Sequence, residues 1–334
     1  MIQVIAKMKE FQHILVVIEP RQMRQPALER ALAVSRYARE LSSKNTDTQG
    51  QNIKITAVMP VYDFSWDLTS VLSIEQENSL QNSVIEKHRN WLDAYLRIHA
   101  MGYDVEQEVV WSKSIGKTIT AIAKDKACDL IIKSADVHGM LDSVIFTPLD
   151  WQLLRHSPVP VYVAQDHMWK PTGVIAVALD MSDPADNSQL LLNVRILREA
   201  QQLARFTKCQ IHLINAVPPV LPPVSIDLPG FVPEIVGDEV IRDAVKTVLA
   251  FGARHKIPAD NCHIREGLPD EIIPEICREL KPTALFLGTS AHKGLAVAVL
   301  GNICEKVIDE LDCDVAVTTP KSVIRRIPTS ERTR

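Results

Sequence analysis

Glycine is scarce. The 334-residue chain holds 12, about half the ordinary usage of roughly 7%. Close approach of phosphate to backbone favours residues without a Cβ, so few places remain for a phosphate-cradling loop. An excess of positive charge is also missing. With 37 Lys and Arg against 41 Asp and Glu the net charge is −4, and the broad basic footprint of a nucleic-acid binder is not expected. The one basic run, Lys321, Arg325, Arg326, Arg332 and Arg334, reads as a solvated tail. No stretch approaches the ~18 consecutive apolar residues of a membrane span, and the opening MIQVIAKMKEF lacks the pattern of a secretory signal. Cys128, Cys209, Cys262, Cys277, Cys304 and Cys313 form no CxxC motif, which fits reduced thiols in a cytoplasmic protein. There is no HExxH, no GxSxG elbow and no carboxylate pair assignable to acid–base work, so no catalytic residue is expected.

What is present is an even supply of apolar residues, 46% of the chain, in a length suited to about two domains at ~150 residues each. HILVVI (13–18) reads as a strand buried on both faces, followed by a helix from Pro26 and a polar loop over 42–52. Further strands are predicted at 53–61, 105–111, 130–133 and 159–164, with a long helix over 74–101. The order then restarts. Strands at 173–179, 209–217, 263–267, 284–288 and 314–318 alternate with helices at 188–206, 238–255, 270–280 and 302–311. Such alternation implies parallel βαβ units. The fold class is α/β, two tandem doubly wound parallel-sheet domains, set at 9–166 and 171–320.

The repeat is legible in the residues. The segment from Leu130 can be laid without a gap on the segment from Leu285 at a constant offset of 155, which brings Gly139 onto Gly294. Glu19 and Asp180, each closing a first strand, are 161 apart. A period of this size is a duplicated domain and not a solenoid repeat, for which 20–50 residues is expected.

In the second copy a strand runs into Gly288, and Gly294 and Gly301 follow before a helix opens at Asn302. A loop between the carboxyl end of a strand and a helix N-terminus offers unpaired N–H groups and a positive dipole to an anion. The spacing is equally that of a tight turn and a helix start. Asp180 closes a neighbouring strand, where a carboxylate can accept ribose hydroxyls. In the first copy the offset brings Lys133, Asp136 and Phe146 onto the cradle positions, followed by Thr147. No nucleotide phosphate is expected there. Lys133 is expected to pair with Asp136 or Glu19.

Asp180, Asp183 and Asp186 are spaced by threes, as Mg²⁺ ligands can be. They suit a strand end, an Asp-Pro turn and a helix cap better, so no metal is expected. His255 and His263 read as separated surface positions. The Pro-rich stretch 217–231, beginning at Val217, and its counterpart 60–72, with Tyr62, Phe64 and Trp66, read as walls over an apolar pocket.

These residues together resemble the universal stress protein family in its tandem form, and within it the bacterial E type. Val144 to Pro148, Asp150-Trp151, the stretch 58–66, Gly267-Leu268-Pro269 and Leu300-Gly301-Asn302 carry the likeness. The resemblance implies an adenine nucleotide alpha hydrolase-like fold. In nucleotide-binding members the motif is Gly, two residues, Gly, nine residues, then Gly with Ser or Thr. Its register falls here on Gly288, Ala291 and Gly301-Asn302, so one glycine is replaced by Ala and the hydroxyl residue by Asn. ATP with Mg²⁺ is thereby left open in the second copy alone. Asp180 matches the family's aspartate after its first strand, and Glu19 replaces it in the first copy.

The resemblance also implies a cytoplasmic, non-catalytic stress-response protein that binds an unknown small ligand or a partner and supports survival, including under DNA-damaging conditions. Single-domain relatives dimerise through their last strands, so an internal pseudo-dimer through 159–164 and 314–318 is expected, with a further homodimer open. A nucleotide-driven switch or slow ATPase in the second copy, and a carrier of an apolar small ligand, are the alternatives.

Overall fold

The computed structural model describes residues 11–20, 22–44, 52–62, 73–137, 144–145, 147–169, 172–183, 185–219, 233–289 and 302–320. They divide between two compact units, with the break between His167 and Met168.

The first unit contains strands β1 (His13–Val17), β2 (Lys54–Val61), β3 (Val105–Trp111) and β4 (Leu130–Ser134), a two-residue pair β5 (Asp136–Val137) and β6 (Val144–Ile145), and β7 (Val161–Ala164). Between them run α1 (Pro26–Lys44), α2 (Ile74–His99), α3 (Ile115–Asp125) and α4 (Pro148–His156). Its sheet is parallel in the order β3-β2-β1-β4-β7. β1 and β4 are buried at every residue, as sheets covered by crossover helices on both faces require.

The second unit repeats the plan with β8 (Val174–Ala178), α5 (Asn187–Thr207), β9 (Gln210–Val217), α6 (Pro233–Arg254), β10 (Cys262–Glu266), α7 (Pro269–Leu280), β11 (Ala284–Gly288), α8 (Asn302–Asp309) and β12 (Asp314–Thr318). Its sheet is parallel in the order β10-β9-β8-β11-β12. In each unit the order reverses between the first strand and the fourth, and ligands of such sheets bind beyond the carboxyl ends at that point. The start of the second unit is pinned where Trp169 Nε1 donates to Asp314 Oδ2 at 2.7 Å.

The strand ladders correct the offset of the repeat. Asp129 N donates to His13 O as Thr283 N does to Val174 O, and Ala135 N donates to Ala164 O as Thr289 N does to Thr318 O. The fourth strands are therefore related by 154 residues and not 155, because 283 − 129 and 289 − 135 are both 154. The first strands keep 161, since Ile18 N donates to Val58 O as Leu179 N does to Ile214 O. Helices α4 and α8, which start at Pro148 and Asn302, share the 154 spacing. The first-unit counterparts of Gly288, Ala291 and Gly301 become Ser134, Val137 and Thr147, while Lys133 corresponds to Leu287 and Asp150 to Cys304.

Two other features differ from the sequence reading. Helix α6 starts at Pro233 rather than 238; Pro is suited to a first turn, and Gly237 costs the helix only about 1 kcal/mol. The β5–β6 pair, antiparallel with Asp136 opposite Ile145, has strands too short for a period to show.

Candidate functional site

At the carboxyl end of the first unit's sheet stands a fully buried lysine. Lys133, the fourth residue of β4, is 0% exposed. Its ammonium lies 3.1 Å from Glu19 Oε1 and 3.0 Å from Asp150 Oδ1, and donates to the Ser134 carbonyl at 2.9 Å. Glu19 was an expected partner. Asp150 was not, and the side chain of Asp136, the other expectation, is not among those described. Asp150 is placed by a capping box. Thr147 is the N-cap of α4, its Oγ1 donates to Asp150 Oδ2 at 2.8 Å, and Asp150 Oδ2 also accepts from Thr147 N at 2.7 Å. The T-x-x-D spacing, an acidic relative of the usual capping box, was the signal available for it.

Glu19 is placed through its backbone. Gln25 Nε2 donates to Glu19 O at 2.7 Å, and Glu19 N donates to Gln25 Oε1 at 3.1 Å. An isolated buried ammonium would cost several kcal/mol; two carboxylates and a carbonyl offset that cost. The crevice of the first unit is thus occupied by the protein's own cation.

The second unit differs at each of these places. Asp180 has its peptide held the same way, Asn193 Nδ2 donating to Asp180 O at 2.7 Å and Asp180 N donating to Asn193 Oδ1 at 3.3 Å. Met181 N donates to Asn215 Oδ1 at 3.2 Å. Asn193 was missed by the sequence reading, although a polar residue interrupting LLLNVRIL was a usable signal. The Asp180 carboxylate, however, meets Ser182, accepting from its N at 3.1 Å and its Oγ at 2.6 Å, and no cation pairs with it among the described residues. In place of Lys133 is the buried Leu287, and in place of Asp150 is Cys304. The Cys304 thiol donates to Gly288 O at 3.5 Å; burial pushes it up to about 11, so it is a neutral thiol at pH 7 and a poor nucleophile.

Thr289, one residue beyond β11, is 0% exposed, and its hydroxyl has no hydrogen-bond partner among the described residues. A buried, unsatisfied polar group costs about 1–3 kcal/mol and calls for a water or a ligand. Its first-unit counterpart is Ala135, which makes no such demand.

Gly288 is placed by packing. A Cβ there would lie 2.7 Å from Ile196 Cδ1 and 2.8 Å from Leu192 Cδ2 of α5. Val217 ends β9, is buried, and accepts from Gly267 N at 2.9 Å. Asn302 opens α8. Ala291, Gly294, Gly301 and Phe146 lie outside the described residues, as do most of the Pro-rich 217–231 and 60–72 stretches. Asp180, Asp183 and Asp186 do not converge. Asp183 Oδ1 accepts from Ala185 N at 2.9 Å, and Asp186 caps α5 through Ser188 N and Gln189 N.

Beside Asp180 opens a cavity of about 360 Å³ between α5 and α6, lined by Asp180, Met181, Asn193, Lys246, Phe251 and Arg254 among others. It combines apolar walls with charges of both signs, as small-ligand pockets do.

The model of the Universal stress protein family matches residues 10–165 and again 174–319. The chain belongs to the universal stress protein family. It carries the domain twice, and it is 34% identical over 317 residues to Universal stress protein E of Photorhabdus laumondii, covering 94% of this chain and 96% of that one. Universal stress protein E of Escherichia coli K12 is 33% identical over 317 residues, covering 94% and 95%. Among solved structures, a putative universal stress protein from Pseudomonas aeruginosa UCBPP-PA14 superposes with a TM-score of 0.67 at 28% identity, covering 95% of this chain and 96% of that one. A universal stress protein from Archaeoglobus fulgidus shares the fold, with a TM-score of 0.54 at 16% identity, covering 93% and 98%. The tandem family and its α/β fold are those that the sequence resemblance implied. Among the described residues no helix is long and apolar enough to cross a membrane.

Proposed function

We propose that this tandem universal stress protein is a non-catalytic, cytoplasmic stress-response protein whose second unit binds a small ligand at the carboxyl ends of β8 and β11, while the first unit is a closed structural copy. The observation that carries this reading is the contrast at one place in the fold. The first crevice is filled by the Lys133 ammonium. The second offers the Asp180 carboxylate, a cavity of about 360 Å³ on its α5–α6 side and, one residue past β11, a Thr289 hydroxyl unsatisfied among the described residues. None of the six cysteines forms a disulfide among the described residues, which supports a reducing compartment.

Isothermal titration of the full chain with MgATP tests the reading, paired with mass spectrometry of co-purified small molecules. Expected is one site per chain, lost in Gly301→Trp and weakened about tenfold in Thr289→Val, the cost of roughly one buried hydrogen bond. A co-purified organic ligand, displaced in the same variants, without heat from ATP would make the second unit an apolar-ligand carrier. Phosphate release in step with binding would make it a slow ATPase. No ligand by either method, or ligand retained in both variants, overturns the proposal. Survival of a deletion strain under DNA-damaging conditions tests the physiological expectation.

A further inference from the structure

At the amino end of the second unit's sheet two imidazoles face one another. His212 is the third residue of β9 and His263 the second of β10. Because His263 lies opposite Ile214 in the ladder, and side chains alternate along a strand, His212 and His263 emerge on the same face. His212 Nδ1 and His263 Nε2 are 2.9 Å apart, and the rings are stacked within 10° of parallel. Neither makes another hydrogen bond among the described residues. The 2.9 Å contact is a hydrogen bond between the two rings, so one of these nitrogens carries the shared proton, and a metal ion that takes both nitrogens would displace it.

The spacing has a geometric consequence. Two imidazole nitrogens at the usual 2.0–2.1 Å from a metal ion subtend about 90° when they are 2.9 Å apart, whereas a tetrahedral pair would stand about 3.3 Å apart. Right-angle nitrogen pairs belong to the tetragonal coordination of Cu²⁺ and Ni²⁺. The charge nearby favours a cation. Arg265 on the same face is bracketed by two carboxylates of α7, Glu275 at 2.8 Å and Glu279 at 2.6 Å, so one guanidinium stands against two acids. Cys262, next along β10, points to the opposite face. Its Sγ is the atom that a Cβ on Gly252 of α6 would meet at 3.1 Å.

We propose that His212 and His263 form a two-imidazole site for a divalent ion of the Cu²⁺ or Ni²⁺ type, its remaining positions open to water. The place was hidden in the sequence because the two residues are 51 positions apart and only β9–β10 pairing joins them.

Titration of the full chain with Cu²⁺, followed by electron paramagnetic resonance at one equivalent, tests the site. Expected is a tetragonal spectrum with hyperfine splitting from two nitrogens. His212→Gln and His263→Gln should each weaken Cu²⁺ and Ni²⁺ binding at least tenfold, while Cys262→Ser leaves both unchanged. Thermal melts check that each variant is folded, and Glu279→Gln, which keeps both rings, should weaken binding less than either histidine change. A first equivalent that survives the double histidine variant, or that is lost with Cys262, overturns the proposal. So does a wild-type chain that takes up no Cu²⁺ at micromolar concentration.

Discussion

The two units build one fold and then fill the same spot with different side chains. Where β4 ends, Lys133 is buried between Glu19 and Asp150; where β11 ends, Leu287, Asp180 and Cys304 hold the equivalent places. Both strand-end carboxylates have their peptides clamped by an amide side chain, Gln25 from the start of α1 and Asn193 from within α5. The backbone around the crevice is therefore kept in both, and what differs is whether a cation is built in. The lesson is that the strand-end crevice of a duplicated fold can be filled by a single long side chain, provided that the neighbours supply counter-charges. The amino ends of the sheets diverge similarly. Lys126 joins Glu106 and Glu108 at 3.3 Å from the latter in the first unit, whereas the second presents the hydrogen-bonded His212–His263 pair.

The contrast can be broken by exchanging its parts. Lys133→Met leaves two carboxylates facing each other without their cation and is expected to destabilise the first unit by about 3–5 kcal/mol. Denaturant melts followed by tryptophan fluorescence will report this, since Trp66, Trp91, Trp111 and Trp151 lie in the first half and only Trp169 in the second. The reverse change, Leu287→Lys, buries a cation with Asp180 alone to meet it and should cost a similar amount. Adding an acid at position 304, as Leu287→Lys with Cys304→Asp, should recover at least about 1 kcal/mol by restoring a buried counter-charge. No recovery would mean that the two crevices are not equivalent places.

A smaller effect is expected at the glycine that separates the two strand ends. Gly288→Ala places a Cβ within 2.7–2.8 Å of Ile196 and Leu192, and this overpacking should cost about 1–3 kcal/mol. Ser134→Ala, at the matching position, loses only the bond that Ser134 Oγ accepts from Ala27 N at 3.1 Å, about 0.5–1.5 kcal/mol. If the two changes cost the same, packing against α5 does not explain the glycine.

The smallest effect concerns pH. Hydrogen bonds from Lys126 and then Lys54 hold the Glu106 carboxyl down to about 2, below its ordinary 4.5. Folding then binds fewer protons than unfolding, so this contribution to stability is complete above about pH 4.5 and is lost as pH falls toward 2. Because Glu106 is 39% exposed, solvent screens the pairs and the effect is modest. Acid melts of Glu106→Gln should show a flatter pH dependence in that window than wild type; an identical slope would show that the network contributes nothing.

Much of the architecture was legible in the sequence. β3, β11 and β12 fall at 105–111, 284–288 and 314–318 as their apolar runs predict. The duplicated order of strands and helices was equally plain, because burial on both faces leaves continuous apolar runs that need no context to recognise. The candidate site was legible only in part. Glu19 and Asp180 stand at strand ends as expected, but Asp150, Gln25, Asn193 and Thr289 are brought to these places only by the fold.

The register shows the limit most sharply. Within Leu130–Ile132 the two alignments one residue apart match apolar residues equally, since a parallel strand buried on both faces has no alternation to fix its phase. The hydrogen bonds of the ladder chose 154 and moved Lys133 off the glycine position. By itself the sequence determined the duplication, the parallel α/β plan and the loss of glycine from the first copy, all properties of local pattern. The tertiary structure decided that a buried ammonium fills the first crevice, that Thr289 is left unsatisfied beside the second, and that His212 meets His263. Each depends on side chains from different strands and helices, which only the packing of the chain brings within a few ångströms of one another.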